Sequence, residues 1–206
     1  AVLEKGWIGS GNIGRNTTII RSNYLLPENE PFYEFSLKLW EGLEQDTNYN
    51  SMVSQRGVIN IFHSDAQRDA AVRRGNAMLL SGADATLLDE NALKDLCPYL
   101  DFENARFPVK GALMQKRGGT VRHDAVAWGY ARGADKKGVD IIQNGEVEDF
   151  IIKNGVCSGV VTSKGKIHAK KVASCVAGSS SKVMSKANMR LPIESHVLQA
   201  FVSEGL

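Results

Sequence analysis

Ala1-Val2-Leu3-Glu4-Lys5-Gly6-Trp7-Ile8-Gly9-Ser10-Gly11-Asn12-Ile13-Gly14-Arg15 is the stretch that decides the fold. It opens as the end of an apolar strand closed by an acid, and it runs into a glycine-rich loop. Gly9 to Gly14 is a literal G-x-G-x-x-G. A dinucleotide fingerprint needs a helix to start within that motif, because the pyrophosphate rests on the helix N-terminus. Here the motif is followed by Arg15-Asn16-Thr17-Thr18-Ile19-Ile20, whose β-branched residues favour an extended chain. Three readings stay open: a fingerprint, a flexible loop whose N–H groups approach an anion, and plain turn glycines. Glu4 points further. An acid that ends the second strand of a dinucleotide fold accepts hydrogen bonds from ribose hydroxyls; many strands also end in a surface Glu. On the ribose reading, a first strand, its glycine turn and a helix belong upstream of Ala1. At the other end Val197–Val202 has a strand-like pattern, so the sequence is expected to be an internal piece of a longer chain.

Working outward, Asn29-Glu30-Pro31 predicts a helix start, with Phe32, Phe35, Leu39, Trp40 and Leu43 as its apolar, core-facing stripe. Ser51–Gln55 and Gly57–Phe62 are expected strands. Ser64 and Asp89 are N-cap candidates for helices reaching about Leu79 and Leu96. Ala83–Leu88 and Ala112–Gln115 are expected strands, and Gly118-Gly119 a turn. Asp124–Lys137 is an expected helix with Val126, Tyr130 and Ala134 on one face. Gly138 ends it. Val139–Ile142, Glu146–Ile152 and Val156–Ser163 are expected strands. Asn154-Gly155 joins the last two as a hairpin, and Lys164-Gly165-Lys166 is a second turn. Val172–Ala177, uniformly apolar or small, is expected as a strand buried on both faces. Gly178-Ser179-Ser180 opens a further helix. The class is mixed α/β with two interleaved domains.

Composition excludes more than it reveals. The 206 residues are 43% hydrophobic and 23% charged, an ordinary globular balance. A net charge of +2, from 25 basic and 23 acidic residues, gives no electrostatic footprint for nucleic acid or an anionic membrane. Cys97, Cys157 and Cys175 are odd in number and lack CxxC spacing, which argues against a disulfide framework or structural zinc; a cytoplasmic location is the expectation. His63, His168 and His196 show no metal-ligand spacing. Two residues carry chemical possibilities. Arg21 ends the β-branched run and could hold a carboxylate bidentately, or pair with a surface acid. His123, at the mouth of a helix, could be a base, a ligand or a covalent attachment point, or simply an exposed first-turn histidine. Trp40 and Trp128 are expected in the core.

Val2-Leu3-Glu4-Lys5-Gly6-Trp7-Ile8 followed by Asn12-Ile13-Gly14-Arg15-Asn16-Thr17-Thr18-Ile19-Ile20-Arg21-Ser22-Asn23-Tyr24 closely resembles the β subunits of heterotetrameric sarcosine oxidases. So do Ser54–Val58, Arg122-His123-Asp124 with Val126-Ala127-Trp128, and Gly138–Asn144. The resemblance covers essentially the whole chain. It implies a glutathione-reductase-like FAD amine oxidase: a partial FAD-binding, Rossmann-like domain over 1–36 and 119–190, and an antiparallel-sheet substrate domain over 37–118 and 191–206. It implies non-covalent FAD, with Glu4 as the ribose acid, Asn12, Ile13, Thr17 and Ile19 lining the cofactor, and Val147 contacting the adenine through its backbone. It also implies FMN bound covalently to His123 at a subunit interface, with Arg122 beside the phosphate. Arg21 aligns with the arginine that holds the substrate carboxylate in monomeric relatives; their second arginine is Thr18 here.

The reaction implied is oxidation of sarcosine to glycine, with electrons passing from FAD through FMN to O₂. The one-carbon unit goes to tetrahydrofolate in a companion subunit, which also holds NAD. The implied partners are thus an N-methyl amino acid and the other subunits of the heterotetramer, with a flavin-facing lysine expected beyond Leu206. Two alternatives stand beside this reading. One is a related FAD-dependent amine or imino-acid dehydrogenase without the second flavin. The other is a non-catalytic subunit derived from a flavoprotein.

Overall fold

The structure, a computed structural model, describes residues 1–199. In chain order its elements are β1 (Val2–Leu3), β2 (Ile19–Ile20), α1 (Glu30–Thr47), β3 (Val58–Phe62), α2 (Asp65–Leu80), β4 (Thr86–Asp89), α3 (Glu90–Leu96), β5 (Gly111–Gln115), β6 (Gly119–Thr120), α4 (His123–Lys136), β7 (Ile141–Ile142), β8 (Val147–Lys153), β9 (Val156–Thr162), β10 (Gly165–His168) and α5 (Ser180–Met184). They fall into two compact units. One is discontinuous, formed by residues 1–17 and the chain from Tyr130 onward; the other is continuous from Thr18 to Gly129, so the boundary falls inside α4. The mixed α/β class expected from the sequence is therefore present.

In the continuous unit the sheet runs β3-β5-β4 with both pairings antiparallel. Successive side chains of the central strand point to opposite faces. Leu113 joins Met78 of α2 and Ala83 in one buried cluster. Its neighbour Ala112 joins Leu93 of α3 and Val109 in another. Each helix thus closes one face, and both start on the residues expected. Ser64 Oγ accepts from Gln67 N–H at 3.2 Å, and Asp89 Oδ1 accepts from Ala92 N–H at 2.8 Å. Gly111 has no substitute: at φ +140° its absent Cβ would run into Leu88 O and the Phe62 ring.

In the discontinuous unit β1 pairs in parallel with β7, Val2 against Ile141 and Leu3 against Ile142. A three-stranded antiparallel meander, β10-β9-β8, follows. Asn154 and Gly155 have φ +52° and +76°, the turn geometry that their dipeptide predicts. No helix among the described residues is long and apolar enough to cross a membrane.

Several expectations are corrected. Ser51–Gln55 is not a strand: Met52 takes φ +54° with its N–H on Asn50 Oδ1, which breaks the extended run and leaves a single bridge, Ser54 to Thr120. Of the stripe on α1 only Leu43 is buried as expected; Phe32 is 70% and Phe35 63% exposed and Leu39 is exposed, while Glu30, Leu37 and Thr47 join Leu43 on the inward face. On the inward side Glu34 meets the buried polar network described below. On α4 the buried residues are Ala125, Val126 and Gly129, whereas Tyr130 and Trp128 are exposed; Trp40 is half-buried. Finally, Val172–Ala177 is exposed and outside any strand, because no described strand offers its backbone a ladder. Val197–Gln199 of the expected C-terminal strand are also outside any strand; the rest of it lies outside the described residues.

Candidate functional site

In the discontinuous unit the acid and the glycine loop are tied to the start of the meander. Glu4 N–H donates to Ile142 O at 2.9 Å, Gly145 N–H donates to Glu4 O at 2.9 Å, and Asn144 N–H donates to Gly6 O at 2.8 Å. Ile8 N–H donates to Gln143 Oε1 at 2.8 Å, and Lys5 Nζ lies 3.0 Å from Glu146 Oε1. These bonds bring Glu4 beside the segment that leads to Val147, which opens β8. The half-buried Glu4 carboxylate accepts Gly6 N–H on Oε1 at 2.8 Å, so the acid braces the loop that it precedes.

The loop itself closes in a single 3₁₀ turn, Asn12–Gly14, and not in an α-helix. Gly14 allows the closure, since a Cβ there would sit 2.5 Å from Gly9 O. Asn16 Nδ2 donates to Ile13 O at 2.5 Å. Asn12 and Thr17 are exposed and Ile13 half-buried. An exposed loop bearing N–H groups, braced by a strand-end carboxylate, has the donor and acceptor chemistry to hold a nucleotide's phosphates and ribose.

In the continuous unit β2 pairs antiparallel with β6, Ile19 against Thr120 and Ile20 against Gly119. Val121 N–H donates to Thr18 O at 3.0 Å and Arg122 N–H to Ser51 O at 3.1 Å. Ile19 is 49% exposed, while Ile20 is buried. Thr18 sits at φ +61°, a left-handed conformation that strains a β-branched residue. Because the ladder is antiparallel, Arg21 leaves it at one end and Arg122-His123 at the other, roughly 13 Å apart along the strand at about 3.3 Å per residue. The structure thus separates the carboxylate-binding candidate from the histidine.

His123 is half-buried in the first turn of α4. The exposed Arg122 contacts Asp124 Oδ1 through Nε at 2.9 Å and holds that carboxyl below the usual aspartate range. An accessible imidazole beside an accessible guanidinium fits a phosphate-bearing group attached at His123.

Arg21 is held on two sides. Its Nη1 donates to Asn23 Oδ1 at 2.8 Å, and its guanidinium carbon lies 5.3 Å from the Tyr24 ring centroid. Tyr24 stacks on Tyr33 of α1 at 3.6 Å. Burial and the Tyr33 hydrogen bond push the Tyr24 hydroxyl up, against the pull of Arg21.

Behind Arg21 lies a buried polar network that sequence reasoning missed. Ser22, Asn23, Glu30 and Gln115 are all buried. Gln115 Oε1 accepts Ser22 N–H at 2.9 Å and its Nε2 donates to Ser22 Oγ at 2.5 Å. Ser22 Oγ donates to Glu34 Oε1. Arg117 joins Glu34 Oε2 at 2.8 Å and Glu41 Oε1 at 3.0 Å. Asn23 Nδ2 donates to Asn60 Oδ1 at 2.6 Å. The signal available in the sequence was Gln115 itself, a polar residue on the same strand face as Leu113.

The family described as FAD dependent oxidoreductase matches residues 1–205. The chain is 70% identical over all 206 residues to the sarcosine oxidase subunit beta of Rhizobium meliloti, covering 50% of that protein. It is 49% identical over 205 residues to the protein of the same name from an Arthrobacter species, covering 51% of it. The chain therefore spans about half the length of the curated relatives it matches. Among solved structures, it resembles the L-proline dehydrogenase of P. horikoshii with a TM-score of 0.82 at 23% identity, over 90% of this chain and 48% of that one. The glycine oxidase of Geobacillus kaustophilus gives a TM-score of 0.81 at 18% identity, over 92% of this chain and 51% of that one. These two likenesses show the fold.

Proposed function

Because the chain belongs to the FAD dependent oxidoreductase family, we propose that it forms part of an enzyme oxidising an N-methyl amino acid, sarcosine to glycine. The observation that carries this reading is the identity running through every segment of the chain to proteins named sarcosine oxidase subunit beta. When bound, the flavins would supply two-electron oxidation, FAD as acceptor of the hydride equivalent of the N-methyl C–H and FMN as the relay that would deliver the electron pair to O₂ as H₂O₂.

The chain's own residues bind and orient. Glu4, Asn12, Ile13, Thr17, Ile19 and Val147 would hold FAD non-covalently, and His123 would carry FMN with Arg122 at its phosphate. Arg21 pairs with the substrate carboxylate as a planar fork. Asn23 and Tyr24 fix that fork before substrate arrives, which lowers the entropic cost of a productive pose. Residues 1–36 and 119–190 are assigned to the FAD side, and 37–118 with 191–206 to the substrate side. The one-carbon product passes to tetrahydrofolate in a companion subunit, which also holds NAD, within a cytoplasmic heterotetramer.

The test is made on the full-length protein assembled with its partners. Sarcosine must drive steady-state peroxide production, and Arg21→Gln must raise KM for sarcosine far more than it lowers kcat. A flavin must stay with the protein through acid precipitation, and His123→Ala must release it. An acid-stable flavin in the His123 variant refutes the FMN assignment.

A further inference from the structure

We infer that Gln115 is a positioning residue for carboxylate recognition, acting on Arg21 through Ser22; this rests on the reading of Arg21 given above. Gln115 closes β5, the central strand of its sheet, and is 0% exposed. Its side-chain amide grips residue 22 twice, through the backbone N–H and through the hydroxyl. It thereby continues a strand-like pairing for β2 where the ladder to β6 has ended.

The protons fix the direction of every bond. Ser22 has one hydroxyl proton, and it goes to Glu34. The Gln115 group facing that hydroxyl must then be the NH₂, which leaves the amide oxygen for Ser22 N–H. A flipped amide would oppose donor to donor at the backbone. Glu34 is held in turn by Arg117, which also grips Glu41. The next residue repeats the device: Asn23 gives its NH₂ to Asn60 on β3 and its oxygen to Arg21. Arg21 is therefore aimed by two amides: Gln115 on β5 grips the backbone after it, and Asn23, itself held by Asn60 on the adjacent strand β3, grips its guanidinium.

Removing the Gln115 amide leaves a buried N–H without an acceptor, and the 21–24 segment must move to find one. A guanidinium displaced by a fraction of an ångström loses the second bond of a bidentate pair. The effect falls on substrates that present a carboxylate.

The experiment uses the full-length, flavin-loaded complex. Gln115→Met keeps the volume and removes the amide. It is expected to raise KM for sarcosine about tenfold and to weaken a simple carboxylate competitor, acetate, by a similar factor, with kcat within about twofold. Turnover of an N-methylamine lacking a carboxylate is expected to stay at the parental rate. Equal losses with both substrates, or an unchanged KM for sarcosine, overturn the inference. Should Gln115→Met fail to fold, Ser22→Ala decides the question. It keeps the backbone bond and removes the hydroxyl, so it is expected to raise KM for sarcosine about threefold with the carboxylate-free amine unaffected; no selective rise overturns the inference. Arg21→Gln separates the two levels. If it leaves KM unchanged, the reading of Arg21 fails; if it raises KM while Gln115→Met does not, only the positioning role fails.

Discussion

Glu30 should make the stability of this chain depend on pH in a way that one substitution abolishes. It opens α1 at 1% exposure, and among the described residues neither carboxyl oxygen has a hydrogen-bond partner. Burial, and then the nearby charge of Glu34, push its carboxyl from 4.5 up to about 7, against a smaller pull from the Tyr24 backbone N–H, which falls short of normal hydrogen-bond geometry. The folded state thus binds this proton more tightly than the unfolded state. Stability from this group is complete below pH 4.5, is lost as pH rises from 4.5 through 7, and stays lost above that. The loss amounts to about 3 kcal/mol between pH 4 and pH 8, at about 1.4 kcal/mol per pH unit of displacement.

Glu30→Gln keeps the shape and removes the titration. Its amide inherits the same unpartnered pocket, which costs about 1–3 kcal/mol at every pH. The decisive quantity is therefore the difference between parent and variant as a function of pH, not the stability at one pH. Urea unfolding of the full-length protein and its Gln variant, at half-unit steps from pH 4 to 8, should show the parent losing about 3 kcal/mol relative to the variant across the window. Groups shared by both proteins cancel in that difference. Parallel profiles would refute the reasoning, as would a difference that grows in the parent's favour with pH. Infrared difference spectra supply a direct check, because a protonated carboxyl band present at pH 6 must vanish in the variant.

Further outcomes follow from packing. Leu93→Ala empties a fully buried position between α3 and β5 and should destabilise by about 2–5 kcal/mol, seen as a lower thermal midpoint. Gly111→Ala forces a methyl into Leu88 O and Phe62 at φ +140° and should cost about 1–3 kcal/mol in urea titrations. Gly155→Ala places a side chain at φ +76° in the β8–β9 turn and should cost roughly 1 kcal/mol, with hydrogen exchange rising in that hairpin first. Phe35→Glu on the exposed stripe of α1 should leave the chain's own unfolding midpoint within about 0.5 kcal/mol of the parent.

The parts of the fold that were legible in the sequence are those governed by local rules. Ser64 and Asp89 cap their helices, Gly138 and Asn154-Gly155 turn the chain, and the β-branched run at Thr17–Ile20 is extended from Ile19. What escaped was set by distant partners. Helix α1 has two candidate faces; the aromatic one looks like core, yet Ser22 and Arg117, far apart in sequence, draw Glu34 inward. Val172–Ala177 has a strand's composition, but a strand exists only against a neighbour. Met52 takes a left-handed conformation that its side chain does not announce. The site divides the same way. Arg21 and His123 stood out by residue type, while Gln115 and Asn60, which lie on other strands, could not be tied to Arg21 before the sheet was known.

The parallel pairing of β1 with β7 bears on the order of assembly. Val2 must wait for Ile141, about 140 residues later in synthesis, before this pairing can form. The intervening unit closes through β2 and β6 and contains both buried clusters around β5, so all of its contacts are available earlier. An insertion that folds first shortens the effective loop that the late pairing has to close, and the entropic cost of that closure falls accordingly.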